Sequence, residues 1–188
     1  MTNLAKAKHT IRIISGTHRS RRLPVLDFEG LRPTGDRLRE TLFNWLQAEI
    51  VGKNVLDLCA GTGALGFEAA SRGAKNVVML EKNKKVAFQL KTIQNDFKFN
   101  NVTVINKTAQ NFLSKQEQYF DIIFLDPPFA ENLIQELTEL SSTWIKPHGF
   151  LYREAGISQE LKKLDDNWHL YRQKCQAQVK IELWQKLA

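Results

Sequence analysis

The chain is 188 residues long, 43% hydrophobic and carries a formal net charge of +7, which fits one domain with a sizeable core. No stretch reaches the roughly 18 to 20 apolar residues needed to span a bilayer, and the basic N-terminus leads into no apolar signal segment, so a cytoplasmic location is expected. Cys59 and Cys175 lie far apart with no histidine cluster beside them, which argues against a zinc site or a disulfide framework and for two buried free thiols.

The charge is unevenly placed. Before Asp27 every formally charged side chain is basic: Lys6, Lys8, Arg12, Arg19, Arg21 and Arg22. A basic arm of this kind is an electrostatic footprint for phosphate backbones, although an ordinary solvated terminus would look the same. Residues 11–15 and 22–26 are short strand-like runs around Gly16-Thr17-His18, which predicts a basic hairpin. A helical pattern then opens at Pro33-Thr34, with Thr34 as N-cap and Leu38, Leu42, Phe43, Trp45 and Leu46 as its apolar stripe, to about residue 49.

From Lys53 onward strands and helices alternate, the βαβα pattern of a parallel sheet covered by helices. Strands are expected at residues 54–59, 76–81, 102–105, 120–126 and 149–153, and helices at 63–72, 83–97, 109–114 and 131–141. A short helix at 158–163 precedes two long runs, 169–177 and 178–186, read as an antiparallel hairpin closing the sheet edge. The expected class is α/β: a Rossmann-like, mostly parallel, doubly wound sheet with a C-terminal antiparallel hairpin and a small N-terminal hairpin extension. Ligands belong at the carboxyl ends of its strands. No internal repeat or linker calls for a second large domain, so residues 1–30 read as the hairpin extension and 31–188 as the main domain.

The first strand of that domain runs into Asp57-Leu58-Cys59-Ala60-Gly61-Thr62-Gly63-Ala64-Leu65-Gly66, and Glu81 ends the next strand. A tight glycine turn followed by an acid placed for ribose hydroxyls suits a dinucleotide or S-adenosylmethionine. Asp57 favours the second, because a carboxylate there repels a pyrophosphate but complements the ammonium of a methionine moiety. The loop also begins about fifty residues into the chain, unlike the N-terminal loop of many dehydrogenases.

Phe120 to Leu125 is a near-continuous apolar run, as in a strand buried on both faces, and it ends in Asp126-Pro127-Pro128-Phe129. Asp126 can accept a hydrogen bond from an exocyclic amine, the Pro127 carbonyl a second one, and Phe129 offers a stacking face. That set points to chemistry on a nucleobase, against the simpler reading of a strand stop and turn.

The whole chain resembles the RsmD family of bacterial 16S ribosomal RNA (guanine-N2)-methyltransferases. The resemblance rests on Arg12-Ile13-Ile14-Ser15-Gly16 with Arg19 and Arg21-Arg22-Leu23-Pro24-Val25, on the stretch from Leu31-Arg32-Pro33-Thr34-Gly35 to Trp45-Leu46, on the loop from Asp57 to Gly66, and on Asp126 to Phe129. Cys59 departs from the family pattern, where a bulkier residue is common, and so do His18 and Ser20, where Trp and Gly are common. The resemblance implies a methyltransferase with S-adenosylmethionine as cofactor, no metal, and a guanine of 16S ribosomal RNA as substrate, within a small-subunit particle or assembly intermediate. It implies a catalytic set of Asp126, Pro127 and Phe129, and cofactor contacts from Thr34, Asp57, Ala60, Gly61, Gly63, Glu81, Thr108 and Ala109. Thr108 falls where related enzymes carry Asp or Asn facing the adenine. Arg12, Arg19, Arg21, Arg22 and Arg37 are the expected RNA contacts, with Arg37 and Arg39 each facing RNA or solvent. Glu154, ending the fifth strand, lines the pocket or is a core-edge carboxylate. The rival readings are a DNA adenine-N6 or cytosine-N4 methyltransferase, an NAD-dependent oxidoreductase and a non-catalytic RNA-binding protein. A monomer is expected.

Overall fold

The computed structural model describes residues 9–25, 35–115, 118–128 and 133–188. Thr34, Phe129, Arg32 and Pro33 therefore lie outside the described residues. The first strands, β1 (His9–Arg12) and β2 (Arg22–Val25), pair antiparallel as a separate two-stranded sheet with Arg12 opposite Arg22. The main sheet contains β3 (Asn54–Asp57), β4 (Asn76–Leu80), β5 (Val102–Ile105), β6 (Phe120–Leu125), β7 (Ile145–Gly156), β8 (Trp168–Gln176) and β9 (Val179–Lys186), in the order β5-β4-β3-β6-β7-β9-β8. The first five of these run parallel, and β9 pairs antiparallel with both β7 and β8.

Helices cover both faces, because β3, β6 and β7 bury apolar side chains on each side. On one face α1 (Asp36–Trp45), α2 (Ala64–Ser71) and α3 (Lys84–Asp96) pack over Val55, Val77, Phe124, Phe150 and Tyr152. On the other, α4 (Ala109–Leu113) and α5 (Ile134–Ser142) pack over Leu56, Ile123, Leu125 and Leu151. The chain leaves β3 for β4 on one side and reaches β6 on the other, so the reversal point where doubly wound sheets bind ligands falls between the ends of β3 and β6.

Four sequence expectations change. Helix α1 starts at Asp36 with Gly35 at its N-cap and no side-chain cap, and its last residue is Trp45. The Gly35 carbonyl takes the N–H groups of Leu38 and Arg39, so the turn closes on backbone alone. Residues 158–163 form no helix. Leu161 and Leu164 instead pack against the core, and the Lys162 carbonyl accepts from the buried Arg153 guanidinium, 3.1 Å away, which holds this segment to the sheet. Strand β7 begins four residues earlier than expected, at Ile145, because the sheet tolerates an irregularity there with His148 at φ 62°. Cys59 is half-buried and Cys175, on the edge strand, is exposed, since only one face of an edge strand meets the core.

A two-stranded hairpin is marginal alone, and here it is clamped to α2 and to the end of α3. Helix α2 is buried on every side, Glu68 included. The Glu68 carboxylate accepts the N–H of Ile14 at 2.7 Å and of Ser15 at 3.0 Å, and pairs with Arg72 Nε at 2.6 Å. Ser71 ends the helix with its carbonyl accepting from Thr17 N–H, its hydroxyl donating to the Ser15 carbonyl, and that same hydroxyl accepting from His18 N–H. These bonds satisfy groups that a helix C-terminus otherwise leaves open. His18 stacks on Phe99 with ring centroids 4.0 Å apart, and its Nε2 lies 2.9 Å from the Phe97 carbonyl. Ser20, where the family resemblance suggests glycine, sits at φ 68°.

Candidate functional site

The loop after β3 is shaped by its own backbone. Gly61 and Gly63 take φ values of 49° and 81°, in the left-handed region. A Cβ on Gly63 would stand 2.6 Å from the Phe67 ring and 2.8 Å from Leu90. The Ala60 carbonyl accepts Gly63 N–H at 2.7 Å, and Ala60 N–H donates to Leu80 across the sheet. Helix α2 then leaves from Gly63, its N-terminus opening on the carboxyl ends of the strands.

Glu81 follows β4 and is tied to this loop. One carboxylate oxygen accepts Gly61 N–H at 3.0 Å and the other Asn83 N–H at 2.7 Å. Asn83 in turn caps α3, and Asn106 donates to the carbonyls of Glu81 and Lys82. The sequence reading missed Asn83 and Asn106 as supports of Glu81. A carboxylate has about four acceptor directions, so two peptide bonds leave room for ribose hydroxyls.

Asp57 is 1% exposed and accepts Gly66 N–H at 3.0 Å, which pins the end of β3 to the first turn of α2. Burial raises its pKa to about 7, opposed by the Gly66 and Cys59 peptide N–H groups and reinforced by Glu81. An acid whose folded pKa lies above its unfolded one holds its proton more tightly when folded. Its contribution therefore favours the fold at low pH and is lost as pH rises from about 4 to about 7, on the order of a few kcal/mol. Asp57→Asn is expected to flatten that decline, measured as urea midpoints across the same pH range, while lowering affinity for a cationic ligand above pH 7. A decline of unchanged depth in the variant would assign it to other groups.

Across the reversal point, Asp126 emerges from β6 half-buried, Pro127 is buried and Pro128 is exposed. The register places Asp57 opposite Phe124, so Asp126 stands two residues further out on the same face as Asp57. Thr108 caps α4, its hydroxyl oxygen accepting Asn111 N–H at 3.2 Å, and Ala109 buries its methyl in the core beneath. The structure thus gathers Asp57, Ala60, Gly61, Gly63, Glu81, Thr108, Ala109, Asp126 and Pro127 at the carboxyl edge of one sheet.

The arginines separate. Arg12, Arg19, Arg21 and Arg22 are exposed on the hairpin, and Arg37 is exposed on α1. Arg39 is fully buried and donates to the Arg12 carbonyl at 2.7 Å and to Asp36 at 2.8 Å. It joins the hairpin to α1 and faces neither RNA nor solvent.

This arrangement has relatives. The family model described as "Conserved hypothetical protein 95" matches residues 11–185. The ribosomal RNA small subunit methyltransferase D of Haemophilus influenzae is 44% identical over 185 residues, covering 95% of each chain. Its Escherichia coli counterpart is 42% identical over 180 residues, 95% of this chain and 91% of the relative. The chain belongs to the RsmD family. The solved structure of yhhF from Escherichia coli agrees with the fold at a TM-score of 0.88 and 38% identity, over 96% of this chain and 99% of that one. In this RsmD-family chain S-adenosylmethionine is the cofactor, and the donor set fits it. Left-handed glycines allow close backbone approach, a carboxylate ends β4 where ribose hydroxyls belong, and the helix N-terminus lies beside them. No described helix is long and apolar enough to cross a membrane.

Proposed function

We propose that this protein methylates the exocyclic N2 amine of one guanine in 16S ribosomal RNA. The observation that carries the reading is the placement of Asp126, followed directly by Pro127, across the reversal point from the glycine loop, with Asp126 on the face that Asp57 shares. S-adenosylmethionine, when bound, supplies an electrophilic methyl group and removes any need for a metal. Gly61, Gly63 and Ala60 hold it through backbone contacts, Glu81 through its ribose hydroxyls, and Asp57 complements its ammonium. The Thr108 hydroxyl, which accepts from Asn111, keeps its proton to donate to the adenine edge, beside Ala109. Thr34 supplies a further contact to the cofactor.

The chemical difficulty is the amine, whose lone pair is delocalised into the ring. Asp126 and the Pro127 carbonyl take its two hydrogens, draw the nitrogen toward tetrahedral geometry and fix the direction of the lone pair. Phe129 stacks on the extruded base, a contact worth about 1 to 3 kcal/mol. Asp126 need not be a strong base, because the amine becomes acidic once it carries the new methyl.

Residues 1–30 serve as the RNA handle of the catalytic domain, 31–188, through Arg12, Arg19, Arg21 and Arg22, with Arg37 adjoining. Phosphate contacts of this kind position RNA without reading its sequence. Replacing Arg19, Arg21 and Arg22 together with alanine is expected to make the slope of log affinity against log salt shallower by about 2 to 3. Filter binding across a salt series checks this, and an unchanged slope would remove the hairpin as the handle. The protein acts as a cytoplasmic monomer on a small-subunit particle or assembly intermediate, where a single-stranded loop offers a base that can be splayed out.

The deciding experiment supplies labelled S-adenosylmethionine with small-subunit RNA and 30S particles from cells lacking the protein, followed by nucleoside analysis. N2-methylguanosine at one position is the expected result. Label in DNA and none in RNA would favour an adenine-N6 or cytosine-N4 enzyme instead, and RNA binding without transfer a non-catalytic protein.

A further inference from the structure

Asp126 accounts for holding an amine but not for choosing guanine, since adenine and cytosine carry exocyclic amines too. The neighbouring strand supplies a second carboxylate. Strands β6 and β7 are parallel with Phe124 opposite Tyr152 and Leu125 opposite Arg153. One step further along this register, Asp126 comes level with Glu154. Phe124 and Tyr152 pack in the same core layer, so the side-chain alternation of a strand sends Asp126 and Glu154 to the same face.

Tyr152 lies two residues before Glu154 on that face, opposite Phe124. It is fully buried, its ring meets Phe124 edge-on with centroids 6.1 Å apart, and its hydroxyl donates to Glu154 Oε2 at 2.7 Å. Burial, then the charge of Glu154, then that of Asp126 hold this phenol protonated well above its usual range. The hydroxyl is therefore a fixed donor to one oxygen of Glu154, and Asp126 is near enough for its charge to be felt. Glu154 is 5% exposed, held at the carboxyl edge of the sheet with its orientation set by Tyr152.

Guanine is the base whose Watson–Crick edge places a ring N1–H next to an amine. Adenine N1 and cytosine N3, beside their amines, carry lone pairs instead. A carboxylate beside the amine site accepts the first and repels the other two, discrimination by attraction and repulsion together.

We propose that Glu154, oriented by Tyr152, accepts the N1–H of the target base and makes the site selective for guanine. This rests on the N2-guanine reading above, and it adds a residue that touches substrate through an atom Asp126 does not reach.

The test uses small-subunit RNA in which the mapped target guanine is replaced by 2-aminopurine, which keeps the N2 amine and has an unprotonated N1. Single-turnover transfer to the two RNAs is compared for the wild type and for Glu154→Gln. Fluorescence of the 2-aminopurine reports extrusion into the site without any transfer. The wild type is expected to prefer guanine about 100-fold or more, as sites built around a substrate N–H reject analogues that lack it. In Glu154→Gln that preference is expected to fall at least tenfold, because the amide offers N1 a donor, with S-adenosylmethionine affinity kept and extrusion of 2-aminopurine strengthened. An unchanged ratio in an active variant overturns the assignment. If the variant does not fold, the wild type decides: a preference under about tenfold overturns the assignment and a larger one supports it. Wild-type transfer to neither base would overturn the N2 reading and this inference with it, whereas transfer to guanine without selectivity would overturn this inference alone.

Discussion

Asp126→Ala is expected to lower the rate constant of methyl transfer about 10³-fold while leaving the affinity for S-adenosylmethionine within a factor of about two. The size follows from when the interaction matters. In the ground state the amine is flat and weakly basic, and its hydrogens bond to water as well as to a carboxylate. As the nitrogen attacks it gains positive charge and its N–H groups become strong donors, so the hydrogen bond to a half-buried carboxylate strengthens on the way to the transition state. Interactions stronger in the transition state appear in kcat, not in KM. Removing one preorganised partner of developing charge costs about 10² to 10³ in other active sites, and loss of aim on the lone pair adds to it. Asp126→Asn keeps an acceptor oxygen without the charge and is expected to fall between wild type and alanine. Single-turnover transfer with calorimetric titration of the cofactor checks both variants. A drop in cofactor affinity as large as that expected for Asp57→Asn would mean that Asp126 belongs to the cofactor site and not to the amine.

Legibility in the sequence followed the range of the interactions. Strands β4, β5 and β6 could be read to within a residue: β6 because a strand buried on both faces is a near-continuous apolar run, and β5, at the sheet edge, because buried Val102 and Val104 alternate with exposed Thr103. The start of β7 could not, because Lys146, Pro147 and His148 look like a turn and form an irregularity in the register between Ile145 and Phe150, with His148 at φ 62°. The segment at 158–163 carries helix-like spacing, but the acceptor needed by buried Arg153 held it against the sheet. At the site, Asp126 and Pro127 were legible because their motif is contiguous. The position of Asp57 was legible as well. Its elevated pKa was not, since it arises from burial under α2 and from the nearby charge of Glu81, which outweigh the peptide bonds from Gly66 and Cys59. Glu154 was legible only as a carboxylate of two possible roles, and its link to Asp126 through Tyr152 requires the register between two strands. Glu68 passed unnoticed, although one signal was present: Ala64 to Ser71 is otherwise small or apolar all round, so an acid within it had to be paired.

That acid leads to the largest expected effect on structure. In Glu68→Ala the peptide N–H groups of Ile14 and Ser15 lose their acceptor and Arg72 loses its partner, all at a side chain with no solvent exposure. Breaking one side of a buried charged network costs about 3 to 5 kcal/mol, mostly the desolvation of the groups left behind. The cost falls on the docking of the hairpin and not on the main sheet, whose strands pair without it. Hydrogen exchange at the Ile14 and Ser15 amides is therefore expected to accelerate at least about 10²-fold, whereas the denaturation midpoint of the sheet moves much less. Gly16→Ala reaches the same state by an independent route. Gly16 sits at φ 85° with Ser71 O only 1.8 Å from where a Cβ would be, and that oxygen belongs to the backbone and cannot swing away. Both variants should weaken RNA binding while the isolated cofactor affinity holds, because Arg19, Arg21 and Arg22 then point from an undocked ribbon. Rapid exchange with undiminished RNA affinity would show that the arginines act without a fixed platform. Slow exchange in Glu68→Ala would show that the Ser71 and His18 contacts suffice to hold the hairpin.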